Sequence, residues 1–168
     1  MTRRDLLLAS TTLGVLALAL SSLGDSYPRL AYNPTPSAPP GLYSVSRPLD
    51  LHVGDMVVVA VPPAYRQLVI ARHYIGSGVP LLKRIVALDG DLVCEHEGAV
   101  AVDGQPLARA LRRDGRGRPM PIWEGCRPLG AGEFFALMDR SPYSLDSRYF
   151  GPLPTDLIIG KARALWLF

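Results

Sequence analysis

Ser37 sits in Asn33-Pro34-Thr35-Pro36-Ser37-Ala38-Pro39-Pro40-Gly41, where four of nine residues are proline. Proline fixes φ, withholds its backbone donor and pushes the residue before it toward extended conformations. The stretch therefore predicts a stiff, extended strip with Ser37 at its middle. Its small neighbours Thr35, Ala38 and Gly41 leave room for another chain to approach. A serine presented this way is a candidate nucleophile, and a nucleophilic serine needs a base. Three histidines are available, His52, His73 and His96, but no G-x-S-x-G elbow occurs in the chain. Lys83 is the stronger candidate. Of the 18 basic residues, 16 are arginine and only Lys83 and Lys161 are lysine. Arginine cannot serve where a side chain must lose its proton, whereas lysine can.

The element that carries Lys83 reads as a strand. In Leu81-Leu82-Lys83-Arg84-Ile85-Val86-Ala87-Leu88, alternation puts Leu81, Lys83 and Ile85 on one face. An ammonium desolvated among such residues has its pKa lowered, so the neutral amine can take a proton from serine. The competing arrangement is an edge strand from which Lys83 reaches solvent.

Other elements follow from the same patterning. Met56–Val61 is a continuous apolar strand, Ala64–Tyr74 has the spacing of a short helix, and Leu92–Glu95 with Ala99–Val102 reads as a hairpin. Glu133–Met138 is a third apolar strand, and 157–160 with 162–168 reads as a final strand pair. The catalytic unit is thus mostly β, spanning residues 27–168.

Residues 1–26 read as a membrane-targeting segment. Arg3 and Arg4 precede an uncharged run of 18 residues, Leu6 to Leu23, and such a run spans about 27 Å as a helix. The positive flank predicts a cytoplasmic amino terminus and an exported remainder. A retained single-pass helix is the expectation; a cleaved signal peptide with Ala17-Leu18-Ala19 as its small-x-small site is the alternative.

The net charge of +3 is not spread over a face. Arg109, Arg112, Arg113, Arg116 and Arg118 against Asp114 give +4 within ten residues, which argues against nucleic acid as a partner. Residues 108–121 therefore read as one mobile arginine-rich loop. It is solvated, or it meets anionic lipid or an acidic partner. Cys94 and Cys126 are an even pair in an exported domain, which favours a disulfide closing this loop over two free thiols. Neither cysteine has a C-x-x-C neighbour and no H-E-x-x-H occurs, so no metal or other cofactor is expected.

Several of these stretches resemble the boxes of the membrane-bound signal peptidases of the Ser-Lys type. Leu82-Lys83-Arg84-Ile85-Val86-Ala87-Leu88-Asp89-Gly90-Asp91 is similar to the lysine box, and Gly54-Asp55-Met56-Val57-Val58-Val59 to the strand before it. Asp139-Arg140-Ser141-Pro142-Tyr143-Ser144-Leu145-Asp146-Ser147-Arg148 resembles the carboxyl-terminal box, and Ser37 stands in the nucleophile's place. Arg140 replaces the family's asparagine and Met138 its glycine. The Asn33-x-Thr35-x-Ser37-x-Pro39-x-Gly41 pattern is closer to the conjugative-transfer, TraF-type branch.

The resemblance implies a signal-peptidase-like β-barrel or sheet with one amino-terminal transmembrane helix, in the bacterial inner membrane and facing the periplasm. It implies Ser37 as nucleophile and Lys83 as general base. Thr35 would help the Ser37 N–H bind the oxyanion, Ser144 would orient the lysine, and Asp146 and Arg148 would support the site. The implied substrate is a propilin or another exported pro-protein, with pilin cyclisation in some members. A general signal peptidase and a non-catalytic scaffold subunit of a secretion apparatus are the alternatives.

Overall fold

The computed structural model describes residues 2–22 and 29–168, the side chains of 20–22 excepted. Helix α1 (Arg3–Ser22) precedes two sheets. Every described side chain of α1 is exposed, including Leu6, Leu7, Leu13 and Leu16. Among the described residues no helix is long and apolar enough to cross a membrane. The end of the expected anchor, residues 23–26, lies outside the described residues, as does Met1.

The larger sheet has seven strands in the order β1 (Leu30–Asn33), β2 (Gly41–Ser46), β11 (Ile158–Leu167), β3 (Met56–Val59), β4 (Leu81–Ala87), β9 (Glu133–Leu137) and β10 (Leu153–Pro154). All its pairings are antiparallel. The smaller sheet runs β7 (Gln105–Arg109), β6 (Ala99–Val102), β5 (Leu92–His96), β8 (Gly125–Pro128). Three short helical pieces complete the domain: α2 (Pro63–Ala71), α3 (Ser147–Phe150) and a 3-10 turn at Thr155–Leu157. The mostly-β expectation holds. The predicted closing strand pair is instead one continuous strand, β11, which pairs with β2 on one edge and β3 on the other, with a register shift in each pairing.

Strand β9 explains why there are two cores. Its run Glu-Phe-Phe-Ala-Leu has no polar alternation, and a strand alternates its side chains across the sheet. Phe134 and Ala136 enter a cluster with Val57, Leu81, Ile85 and Tyr149. Phe135 and Leu137 enter a second one with Val93, Val100 and Leu129 under the small sheet. Burial on both faces is what a continuous apolar strand requires.

Gly41 begins β2 immediately after the Ser37 stretch, with φ at +155°. A Cβ there would run into the Trp166 carbonyl of β11, so only glycine lets β2 pass this close.

Cys94 and Cys126 are directly paired residues of β5 and β8 and form a disulfide, with Cα atoms 4.0 Å apart. The bond closes a loop 32 residues long in sequence separation that contains the arginine-rich segment. Replacing both cysteines by serine is expected to lower the unfolding free energy of the full chain by about 2–4 kcal/mol, because loop-closure entropy returns to the unfolded state. Urea denaturation with and without reductant checks this; an intact chain insensitive to both changes would contradict it.

Candidate active site

The proline-rich stretch is not the extended strip its composition predicts. Residues 34–40 fold into a tight turn with Ser37 half-buried, and the cause is Asn33. This buried side chain directs its amide at the carbonyls of Thr35, Ala38 and Pro39, at 3.0, 3.0 and 3.2 Å. Its Oδ1 accepts from the Thr35 N–H and the Thr35 hydroxyl. An asparagine amide carries two hydrogens, so three carbonyls share two donors and are drawn together. Tyr43 adds a 2.6 Å bond from its hydroxyl to the Pro39 carbonyl. Prolines stiffened the segment, but an Asx-type knot decided its shape. The Asn-Pro-Thr spacing was the available signal.

The hydroxyls of Thr35 and Ser37 lie 3.0 Å apart. Thr35 has one hydroxyl hydrogen, and Asn33 Oδ1 can only accept, so that hydrogen is committed to Asn33. Ser37 must then donate to Thr35. In this resting arrangement the Ser37 proton is held inside its own turn.

Lys83 lies where the alternation of β4 puts it. Leu81, Lys83 and Ile85 are all buried, Lys83 to 3% exposure. The strand is internal, flanked by β3 and β9, so the edge-strand alternative falls. Its Nζ donates to Ser144 Oγ at 3.0 Å. Burial lowers the amine's pKa from 10.5 to about 8; Asp146 pulls it back up and Arg148 pushes it down. Desolvation leads, and the two opposite charges nearby act in opposite directions.

Asp146 and Arg148 form a buried pair, each 1% exposed. Arg148 Nε reaches Asp146 Oδ1 at 2.8 Å, and Nη2 reaches Oδ2 at 3.2 Å. Arg148 also donates to the carbonyls of Met138 and Arg109. Asp146 accepts the Met138 N–H and caps α3 through the Arg148 N–H. Ser147 Oγ accepts the Ala136 N–H. Side chains thus finish the edge of β9 beyond its short pairing with β10. Ser144, two residues before Asp146, is held against Lys83 by this anchorage.

Three clefts meet at Ser37. One of ≈ 390 Å³ also touches Lys83, Leu81, Met120 and Leu145. A second of ≈ 560 Å³ runs along β1 and again includes Lys83. The third, ≈ 530 Å³, opens on the other side toward Arg84 and Arg140. None of the three is lined by a histidine. His52 is strongly exposed and beside Asp55. Among the described residues no group of His, Cys, Asp or Glu is arranged to hold a metal. Of the predicted residues, Lys83 bonds Ser144, which the Asp146–Arg148 pair holds, and shares two clefts with Thr35 and Ser37, while Asn33, Tyr43 and the wall of the first cleft were not singled out from sequence.

The arginine-rich segment departs from expectation: it is structured. Asp114 accepts from the Tyr74 hydroxyl at 2.6 Å and from Arg118 Nε at 2.6 Å, and its other oxygen takes two backbone N–H groups.

A fold of this kind, with a buried lysine and a serine on one cavity, belongs to a recognised class. The chain is a member of the family described as signal peptidase, peptidase S26, whose model matches residues 3–167. Among its relatives are conjugal transfer protein TraF of Agrobacterium fabrum, 36% identical over 81% of each chain, and probable conjugal transfer protein TraF of Sinorhizobium fredii, 39% identical over 78% of this chain and 73% of that one. Plasmid transfer protein TraF of Escherichia coli is 34% identical over 83% of each. A solved signal peptidase I from Enterococcus faecalis overlaps with a TM-score of 0.40 at 20% identity, over 68% of this chain and 97% of that one; so loose a likeness places no residue.

Burying Lys83 carries a stability penalty whose sign can be worked out. Between pH 8 and 10.5 the unfolded chain binds more protons at this site than the folded one, so stability rises with pH there. Below that window the full penalty stands, about 3 kcal/mol for a shift of this size. Lys83→Met is therefore expected to stabilise the protein at pH 7, by up to that amount, with an advantage that fades toward pH 10.5. Denaturant titrations at pH 7 and pH 10 check it; a variant no more stable at pH 7 would contradict the penalty.

Proposed function

We propose that this chain is a membrane-anchored serine endopeptidase that matures a conjugative propilin, with Ser37 as nucleophile and Lys83 as general base. The observation that carries the reading is the buried Lys83 amine, tuned to about 8, opening onto the same clefts as Ser37. At pH 7 such an amine is neutral about 300 times more often than an ordinary lysine. Membership of the signal peptidase family and the kinship to TraF proteins support the reaction class. Residues 1–26 hold the domain at the periplasmic face of the inner membrane, where an exported pro-protein emerges.

The steps use the groups that line these clefts. A substrate strand entering the clefts puts its scissile carbonyl over Ser37, whose hydroxyl turns from Thr35 toward Lys83. Lys83 takes the proton as Oγ attacks, and the backbone N–H of Ser37 receives the developing oxyanion. Thr35 can join as a second donor once its hydroxyl leaves Asn33 Oδ1, which keeps the Thr35 N–H as a partner. Ser144 keeps the amine aimed throughout. The lysinium then returns its proton to the leaving amine, and an ester remains on Ser37. Water activated by Lys83 resolves it, or a pilin amine does so and closes a ring. Asp146 and Arg148 act by fixing Ser144.

Membranes carrying the intact protein, Ser37→Ala or Lys83→Met are incubated with propilin and, separately, with a secretory precursor. Both variants are expected to lose processing by several orders of magnitude. The kcat/KM of the intact enzyme should rise with pH and level off above about 8, as the amine loses its proton. Normal processing by either variant overturns the dyad. Faster cleavage of the secretory precursor than of propilin redirects the reading to a general signal peptidase.

A further inference from the structure

The loop that follows β7 is built into the site. Its first stem is tied to α3: Arg109 accepts from Arg148 through its carbonyl, and the Leu111 N–H donates to the Tyr149 hydroxyl at 3.0 Å. Its tip is a small hairpin, with Arg113 bridged to Pro119 and the Met120 N–H returning to the Arg112 carbonyl. Its far side is clasped to the end of α2. Arg72 donates to the Pro119 carbonyl at 2.7 Å, Tyr74 donates to Asp114, and Arg118 lies over the Tyr74 ring at 5.4 Å. Asp114 is the centre of the clasp, since its carboxylate accepts from Tyr74, Arg116 and Arg118.

One side of this hairpin lines the site. Leu111, Arg113, Asp114, Gly115 and Met120 line the same ≈ 390 Å³ cleft as Ser37 and Lys83. Met120 is half-buried against the main core, with its sulfur 3.3 Å from the Tyr74 hydroxyl. Ile75, Leu81 and Leu145 also line this cleft, so most of its surface is apolar and includes one flexible thioether. An aliphatic side chain of a bound peptide fits that chemistry.

We propose that residues 111–120 are a substrate-selecting wall of the Ser37 cleft, held closed by the Asp114 clasp, with Met120 limiting the size of the aliphatic side chain admitted. The proposal builds on the peptidase reading, and its test separates the two. The wall is probed on the full chain in detergent, first with trypsin, for which Arg112, Arg113 and Arg116 are natural sites. Asp114→Ala should be cut in this segment about tenfold faster or more than the intact chain, because the charged hydrogen bonds that close it are gone. Selection is then read as binding, by fluorescence anisotropy of labelled extended peptides that differ only in alanine or leucine at one position, on Ser37→Ala protein with and without Met120→Ala.

Enlarging the pocket should shift the leucine-to-alanine preference at one peptide position by about tenfold or more. An unchanged preference at every position overturns the wall, as does equal trypsin sensitivity of Asp114→Ala and the intact chain. A shifted preference in a protein whose Ser37 form cleaves nothing keeps the wall and removes the peptidase reading. Cleavage by the Ser37 form with no shift does the reverse.

Discussion

The buried pair of Asp146 and Arg148 is the constraint on which the site is assembled. Two opposite charges at 1% exposure are tolerated only when each is paired and its remaining hydrogen-bonding capacity is met. Here the partners that meet it are the parts of the site: the backbone of β9 at Met138, the carbonyl of Arg109 that starts the hairpin, and the cap of α3. Satisfying the pair therefore fixes three separate pieces of chain relative to one another. Ser144 is carried to Lys83 as a consequence.

The pair also acts on the Lys83 amine in both directions. A lone carboxylate beside Lys83 would hold its proton on, and a lone guanidinium would drive it off more strongly. Together they leave desolvation as the leading influence on the amine. Burial thus brings the Lys83 amine to about 8, with the pair serving geometry. The cost is carried by the fold, since a buried amine opposes folding at neutral pH, and the two cores sharing β9 must offset it.

Much of this was legible in the sequence because strand alternation is a strict rule. Leu81, Lys83 and Ile85 had to share a face, and the apolar runs at Met56 and Glu133 had to be internal. The convergence of Ser37, Lys83 and Ser144 was carried by family resemblance, since contacts across 61 residues leave no local mark. The shape around Ser37 was misjudged because proline stiffness was weighed and the reach of the Asn33 amide was not. The arginine-rich segment is a different case. Its charge suggests a mobile, solvated loop; Arg109, Arg112, Arg113 and Arg116 are exposed, but a single aspartate, fed by a tyrosine forty residues earlier in the chain, ties the segment to the domain. Composition reports average character; one well-placed acceptor can override it.

The knot around Asn33 has a mechanical consequence. All of its bonds close within residues 33–39, apart from the one from Tyr43. The strand before it, β1, is zipped to β2 over four residues, Leu30 opposite Ser44 through Asn33 opposite Gly41. A pull arriving from the amino-terminal side loads that zipper first. The turn that carries Ser37 lies beyond it, like a knot tied past a cleat, so tension from the helix end reaches the Ser37 hydroxyl only after the zipper yields.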